Sequence, residues 1–123
     1  MRKHKERGPE KQILPRMRVT TGGEIALGPG KIRLLELLER TGSIVKAAKR
    51  MDMSYMRAWV LIRTMNKCFR KPLVITERGG KSGGGGAVLT KTGREALALY
   101  HQIHAGCLRS IQPGWRKLRR LLR

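Results

Sequence analysis

Three sets of residues in this chain combine types and spacing that suit particular chemistry. Gly80-Lys81-Ser82 ends like the phosphate-binding loop of a nucleotide hydrolase, where backbone N–H groups cradle phosphates and a lysine reaches the terminal ones. That loop needs a glycine at position 75 and a helix behind it. Position 75 is Ile75, and the strand-like Ala87–Leu89 follows instead, which excludes the hydrolase reading. His101 and His104 stand three apart on a helix-like stretch, but no cysteine pair or His-Glu-x-x-His run accompanies them, and no metal or other cofactor is expected. Glu24, Glu36, Glu39, Asp52, Glu77 and Glu95 form no pair at acid–base spacing, and neither Cys68 nor Cys107 has a histidine neighbour, so no catalytic residue and no enzymatic activity are expected. The third set is Tyr55, Met56, Arg57, Trp59, Val60 and Arg63. Their mixture of cationic, apolar and aromatic side chains within one helix-like run suits contact with the edges of base pairs.

Charge points the same way. The 123 residues hold 28 Lys and Arg against 8 Asp and Glu, a formal charge of +20, so the expected partner is a polyanion, with double-stranded DNA first. Met1–Arg18 has seven cations and two acids, and Arg109–Arg123 has six and none. The remaining middle is still strongly positive, so binding does not reside in the ends alone. Two cysteines without a framework fit a reducing cytoplasm. The charged start, MRKHKERGPEK, is no signal peptide, and no run approaches the ~20 apolar residues of a spanning helix, so a cytoplasmic protein without membrane contact is expected.

Local signals supply the elements that must position these residues. A basic arm over 1–16 is too charged to order itself. Thr21-Gly22-Gly23 centres a short hairpin with Val19, Ile25 and Leu27 as inward candidates. Pro29 opens a leucine-rich helix that Thr41-Gly42 stops; Ser43 caps a short second helix, and Ser54 caps a third that runs to about Phe69. Two short helices so close together make a helix-turn-helix. On the third, Ala58, Ile62, Met65 and Phe69 share one face, and the base-contact set lies elsewhere; Trp59 suits either a packed or a DNA-facing position. The run from Leu73 to Arg78, the glycine loop Gly79–Gly86 and Ala87–Leu89 read as a hairpin wing, although a flexible loop tip would collect glycine too. Thr90 caps a long helix that Pro113-Gly114 is expected to end, leaving a basic amphipathic tail over 112–123.

Taken together, GSIVKAAKRMDMSYMRAWVLIRTMN and PLVITERGGKSGGGGAVLTKTGREAL resemble the N-terminal domain of the ModE family of molybdenum-dependent transcriptional regulators, from about Gly28 to Ile103. Ser54-Tyr55, Ala58-Trp59, Met65-Asn66 and the glycine loop leading into Leu89-Thr90 carry the resemblance. It implies a winged helix-turn-helix, similar to that of LysR-type regulators, in which the helix from Ser54 enters the major groove, the glycine loop is the wing, and flanking helices dimerise. Members of that family add C-terminal molybdate-binding domains; no molybdate site is expected within this chain.

The expected fold is thus mainly α with a small β-hairpin wing, a winged helix-turn-helix over 17–111 that dimerises through its long C-terminal helix. The expected function is sequence-specific transcriptional regulation on a roughly palindromic operator, the alternative being non-specific architectural DNA binding. Expected DNA contacts are Ser43, Lys46, Ser54, Tyr55, Met56, Arg57, Trp59, Val60, Arg63, Arg78, Lys81, Gly83 and Gly84. A homodimer would join through Leu97, Tyr100, Ile103, His104, Cys107, Leu108 and Ile111.

Overall fold

Hydroxyl caps set the start of most helices in the computed structural model, which describes residues 8–77 and 86–123. Ser43 Oγ accepts the Lys46 N–H at 3.1 Å, Ser54 Oγ that of Arg57 at 3.0 Å, and Thr90 Oγ1 that of Gly93 at 2.9 Å. Each hydroxyl satisfies an N–H that the first turn leaves without an intrahelical partner. These caps open α2 (Ile44–Arg50), α3 (Tyr55–Cys68) and α4 (Lys91–Arg119). The remaining described helix, α1 (Pro29–Thr41), begins on its proline and stops at Gly42, whose φ of 68° lets its N–H reach back to Leu38 O.

Ahead of α1, β1 (Val19–Thr21) and β2 (Glu24–Leu27) pair antiparallel around Gly22 and Gly23, both at positive φ as a two-residue hairpin turn requires. The inward set differs from strict alternation. Ala26 and Leu27 are buried, while Val19 and Ile25 are 42% exposed, because the register slips between Val19 and Thr20 and so breaks the period of two. The second ribbon pairs β3 (Val74–Glu77) with β4 (Gly86–Leu89). Its β4 strand is tied to the α1–α2 corner, where Ala87 N–H donates to Gly42 O at 3.1 Å and Ser43 bridges Gly86.

One hydrophobic cluster holds these parts together. Ile32, Leu34, Leu35, Leu37 and Leu38 of α1 are all buried, a stripe wide enough for α1 to touch α2, α3, α4, β2 and β4. Ala47 and Ala48 let α3 approach α2 closely, and Ala58, Ile62 and Met65 fill that contact. A trihelical core with α2 and α3 as a helix-turn-helix and the β3–β4 ribbon beside it is a winged helix-turn-helix.

Two features depart from the local rules. Pro113 does not end α4; the helix runs through it to Arg119. Pro113, Gly114 and Arg109 are exposed, so the Arg109 carbonyl that the missing N–H leaves without a partner is open to water, and Leu108, Ile111 and Trp115 continue a half-buried stripe across the proline. The second feature explains that stripe. Residues 11–16 of the arm, together with Met17, are extended along α4, with Lys11, Ile13, Pro15 and Met17 half-buried and the residues between them exposed. Met17 O accepts the Tyr100 hydroxyl at 2.8 Å, and Lys11 shares a concavity with Arg116, Arg119 and Arg120. Residues 1–7 of the expected arm lie outside the described residues.

Candidate nucleic-acid interface

The sides of α3 separate cleanly. Ala58, Ile62 and Met65 are sealed in the core, whereas Tyr55, Met56, Arg57, Val60 and Arg63 are exposed. Met56 at 59% and Val60 at 49% exposure stand one turn apart, an apolar pair framed by arginines on an otherwise highly charged surface. Trp59 occupies the border: it is half-buried and packs against the core. Its ring also carries the Arg63 guanidinium, with Cζ 4.9 Å from the ring centroid, a cation–π contact that holds Arg63 extended along the exposed strip. Trp59 is therefore both packed and part of the surface, as a large amphipathic ring allows.

The caps of α2 and α3 share an electrostatic anomaly that the sequence reading missed. A capping box places Glu or Gln three residues after the capping Ser, where it answers the helix dipole. Here the positions hold Lys46 and Arg57, and neither helix has an acid in its first turn. Both helix-turn-helix helices thus present a cation at their positive ends. The arrangement disfavours the isolated protein and favours an anion docked there. The pattern Ser-x-x-Lys and Ser-x-x-Arg was visible in the sequence and is the signal that would have found it.

Ser43 and Ser54 lie at these same corners. Each hydroxyl accepts a backbone N–H and retains its own proton to donate outward. Because Ser43 bridges Gly86, the base of the wing sits next to the start of α2. The expected wing contacts Arg78, Lys81, Gly83 and Gly84 fall within 78–85, outside the described residues.

A further pair of residues, Asn66 and Thr90, sets the position of the ribbon relative to α3. Asn66 Oδ1 accepts the N–H groups of Leu73 and Val74 at 2.8 and 3.2 Å, and its Nδ2 donates to Val74 O at 3.0 Å. From the other side, the Thr90 hydroxyl donates to Pro72 O at 2.7 Å, and Thr90 N–H bonds Leu73 O at 2.9 Å. The backbone from Pro72 to Val74 is gripped by the end of α3 and the start of α4 together. Neither role was foreseen, since the partners lie on other elements.

The residues expected at a subunit interface divide. Leu97 and Tyr100 are buried in the chain's own core, and Tyr100 also lines the apolar groove beside α4. Burial also pushes the Tyr100 hydroxyl above its ordinary pKa. Ile103 is exposed; His104, Cys107, Leu108 and Ile111 are half-buried along the projecting part of α4. Beside them, Val19, Leu27, Phe69, Ala96, Leu99 and Ile103 line an open apolar groove, in which Leu99 had not been anticipated. His101 Nε2 lies 2.8 Å from Glu36 Oε2, joining α4 to α1. Among the described residues no three His, Cys, Asp or Glu side chains converge as metal ligands, and no helix is long and apolar enough to cross a membrane.

No family model matches the chain. It is 45% identical over 92 residues to the molybdenum transport protein ModE of Azotobacter vinelandii, covering 75% of this chain and 34% of that protein. It is 42% identical over 80 residues to the molybdenum-pterin-binding protein MopB of Rhodobacter capsulatus, with 65% and 29% covered. It is 44% identical over 72 residues to the DNA-binding transcriptional dual regulator ModE of Escherichia coli K12, with 58% and 27% covered. The chain therefore spans about a third of the length of the relatives it matches. Among solved structures, a MarR family protein of Mycobacterium tuberculosis in complex with p-aminosalicylic acid superposes with a TM-score of 0.46 at 20% identity, over 77% of this chain and 75% of that one.

Proposed function

We propose, for a chain homologous over most of its length to ModE-type regulators, that it is a sequence-specific DNA-binding transcriptional regulator acting as a homodimer. The observation that carries this reading is the pair of cation-bearing caps at Lys46 and Arg57, on the two helices of a helix-turn-helix whose second helix exposes an apolar and arginine strip. Phosphates neutralise the caps and fix the docking; the strip then enters the major groove. Tyr55, Met56, Val60 and Arg63 meet base edges, with Trp59 bracing Arg63. Ser43, Lys46, Ser54 and Arg57 meet the backbone on either side. The glycine loop, with Arg78, Lys81, Gly83 and Gly84, lets a backbone without Cβ atoms approach phosphates or the minor groove. Two subunits joined along α4, through Ile103, His104, Cys107, Leu108 and Ile111 and the groove beside them, would read half-sites of a roughly palindromic operator spaced by whole helical turns.

Selection of bound fragments from the source genome, followed by competition against random duplex, tests the reading. A preference for selected fragments is expected. Arg63→Ala should remove about 1–3 kcal/mol of that preference, and Lys81→Ala should weaken all duplexes alike. Equal affinity for selected and random DNA would instead make the protein a non-specific architectural binder.

A further inference from the structure

Away from α3, the described structure gathers positive charge at one more place. Lys11, Arg116, Arg119 and Arg120 line a concavity of about 350 Å3, and Arg119 and Arg123 line a neighbouring one with residues 8–11. Among the described residues the ion pairs are Arg33–Glu36 and His101–Glu36, so none of these five cations has a described carboxylate within 4.0 Å. Glu10, the acid beside them, accepts a hydrogen bond from Gln12 instead. Lys11 is half-buried on this face although it could point into water, so like charges are held together rather than splayed. Such an arrangement is relieved by an anion.

The spacing selects a linear one. Arg116 and Arg119 or Arg120 follow one another at about one turn, roughly 5 Å, with Arg123 beyond the end of α4 beside Arg119, and a single small anion would meet only one or two of them. A chain of phosphates meets them all. A bilayer fits less well: at ~100° per residue Arg116, Arg119 and Arg120 share one side of the helix and Leu118 takes the opposite side, so one flat surface cannot engage both. Position adds a constraint. The last buried residue of α4 is Tyr100, and Arg119 lies roughly 28 Å farther along the axis, which holds the row well away from the body.

We infer that Lys11 and this arginine row grip the phosphate backbone of duplex DNA outside the segment that α3 reads. The inference rests on the reading of the chain as a DNA-binding protein, and its test separates the two. Binding of the full chain is measured on random-sequence duplexes of about 16 and about 48 bp across a salt series, beside the triple variant Arg116→Gln, Arg119→Gln, Arg120→Gln, whose glutamines keep helix propensity. The intact chain is expected to gain at least tenfold on the longer duplex beyond the statistical factor. The variant should lose that gain, with a salt slope shallower by about 2–3, and keep its affinity for the short duplex. A variant that keeps the gain, or that loses affinity equally on both lengths, overturns the inference. So does an arginine-dependent association with phosphatidylglycerol vesicles alongside an unchanged gain on DNA. An intact chain that binds the short duplex without a gain on the long one refutes the inference alone, and one that binds neither refutes the DNA-binding reading beneath it.

Discussion

The side-chain amide of Asn66 completes the backbone pairing of Val74, accepting its N–H and donating to its carbonyl at 3.2 and 3.0 Å. One amide thus does for the start of β3 what a neighbouring strand would do, and it does so from the last turns of the helix that presents the exposed strip. The angle between α3 and the wing is set by this contact.

Asn66→Ala removes all three bonds and leaves the Leu73 and Val74 N–H groups in a half-buried site. A loss of about 2 kcal/mol in denaturant unfolding is expected. Faster amide exchange should appear at Leu73 and Val74 before the rest of the core. Unchanged exchange at both positions would show that the clamp is idle.

Gly93 sits in the first turn of α4 with the Leu73 backbone directly against it; a Cβ there would run into Leu73 O and lie 3.0 Å from its carbonyl carbon. A glycine-to-alanine change inside a helix ordinarily stabilises by up to about 1 kcal/mol. Gly93→Ala should do the reverse, by about 2 kcal/mol or more, because the obstacle is main chain. An alanine variant as stable as the parent would show that α4 and the Pro72–Val74 segment can separate freely.

Arg57→Glu should move stability and binding in opposite directions. Glutamate completes the capping box begun by Ser54 and answers the α3 dipole, for a gain of about 0.5–1 kcal/mol in thermal unfolding. The same change puts a negative charge where phosphate is proposed to dock, and duplex affinity should fall at least tenfold. Lys46→Glu on α2 should behave alike. A variant that gains stability and binds DNA normally would remove the caps from the interface.

Tyr100 gives a pH dependence with a defined sign. Its folded pKa is raised by burial, so its contribution is fully present below the unfolded value near ~10 and is lost as pH rises through the folded one. Melting temperature should drop above pH ~10. Tyr100→Phe should lower stability at neutral pH by about 1 kcal/mol, through loss of the bond to Met17 O, and should flatten the alkaline drop. Parallel alkaline curves for the two proteins would assign the drop to other groups.

What could be read in advance followed the range of the forces involved. Ser43, Ser54, Thr90 and Gly42 act on residues three or four positions away, so their roles as caps and stops were legible in a short window. The buried face of α3 followed from a 3.6-residue period. The stop expected at Pro113 failed because the helix continues under the influence of a segment a hundred positions earlier, Lys11 to Met17, that no local rule sees. The burial of Leu97 and Tyr100 was hidden for a related reason: a broad apolar band does not reveal which part its own chain covers. Val19 and Ile25 were misplaced by a single register slip, and Asn66 was silent because its partners stand seven and eight residues away on another element.

The bond from Tyr100 to Met17 joins residues 83 positions apart. A contact of that sequence separation is late to form and early to open, since the intervening chain must be in place before it closes. During synthesis the N-terminal strap therefore waits for most of the protein to emerge before it has a surface to settle on. The arginines at 16 and 18, on either side of the strap's anchor, then become natural reporters: tryptic cutting there should track the docking of the strap rather than the unfolding of the three-helix body.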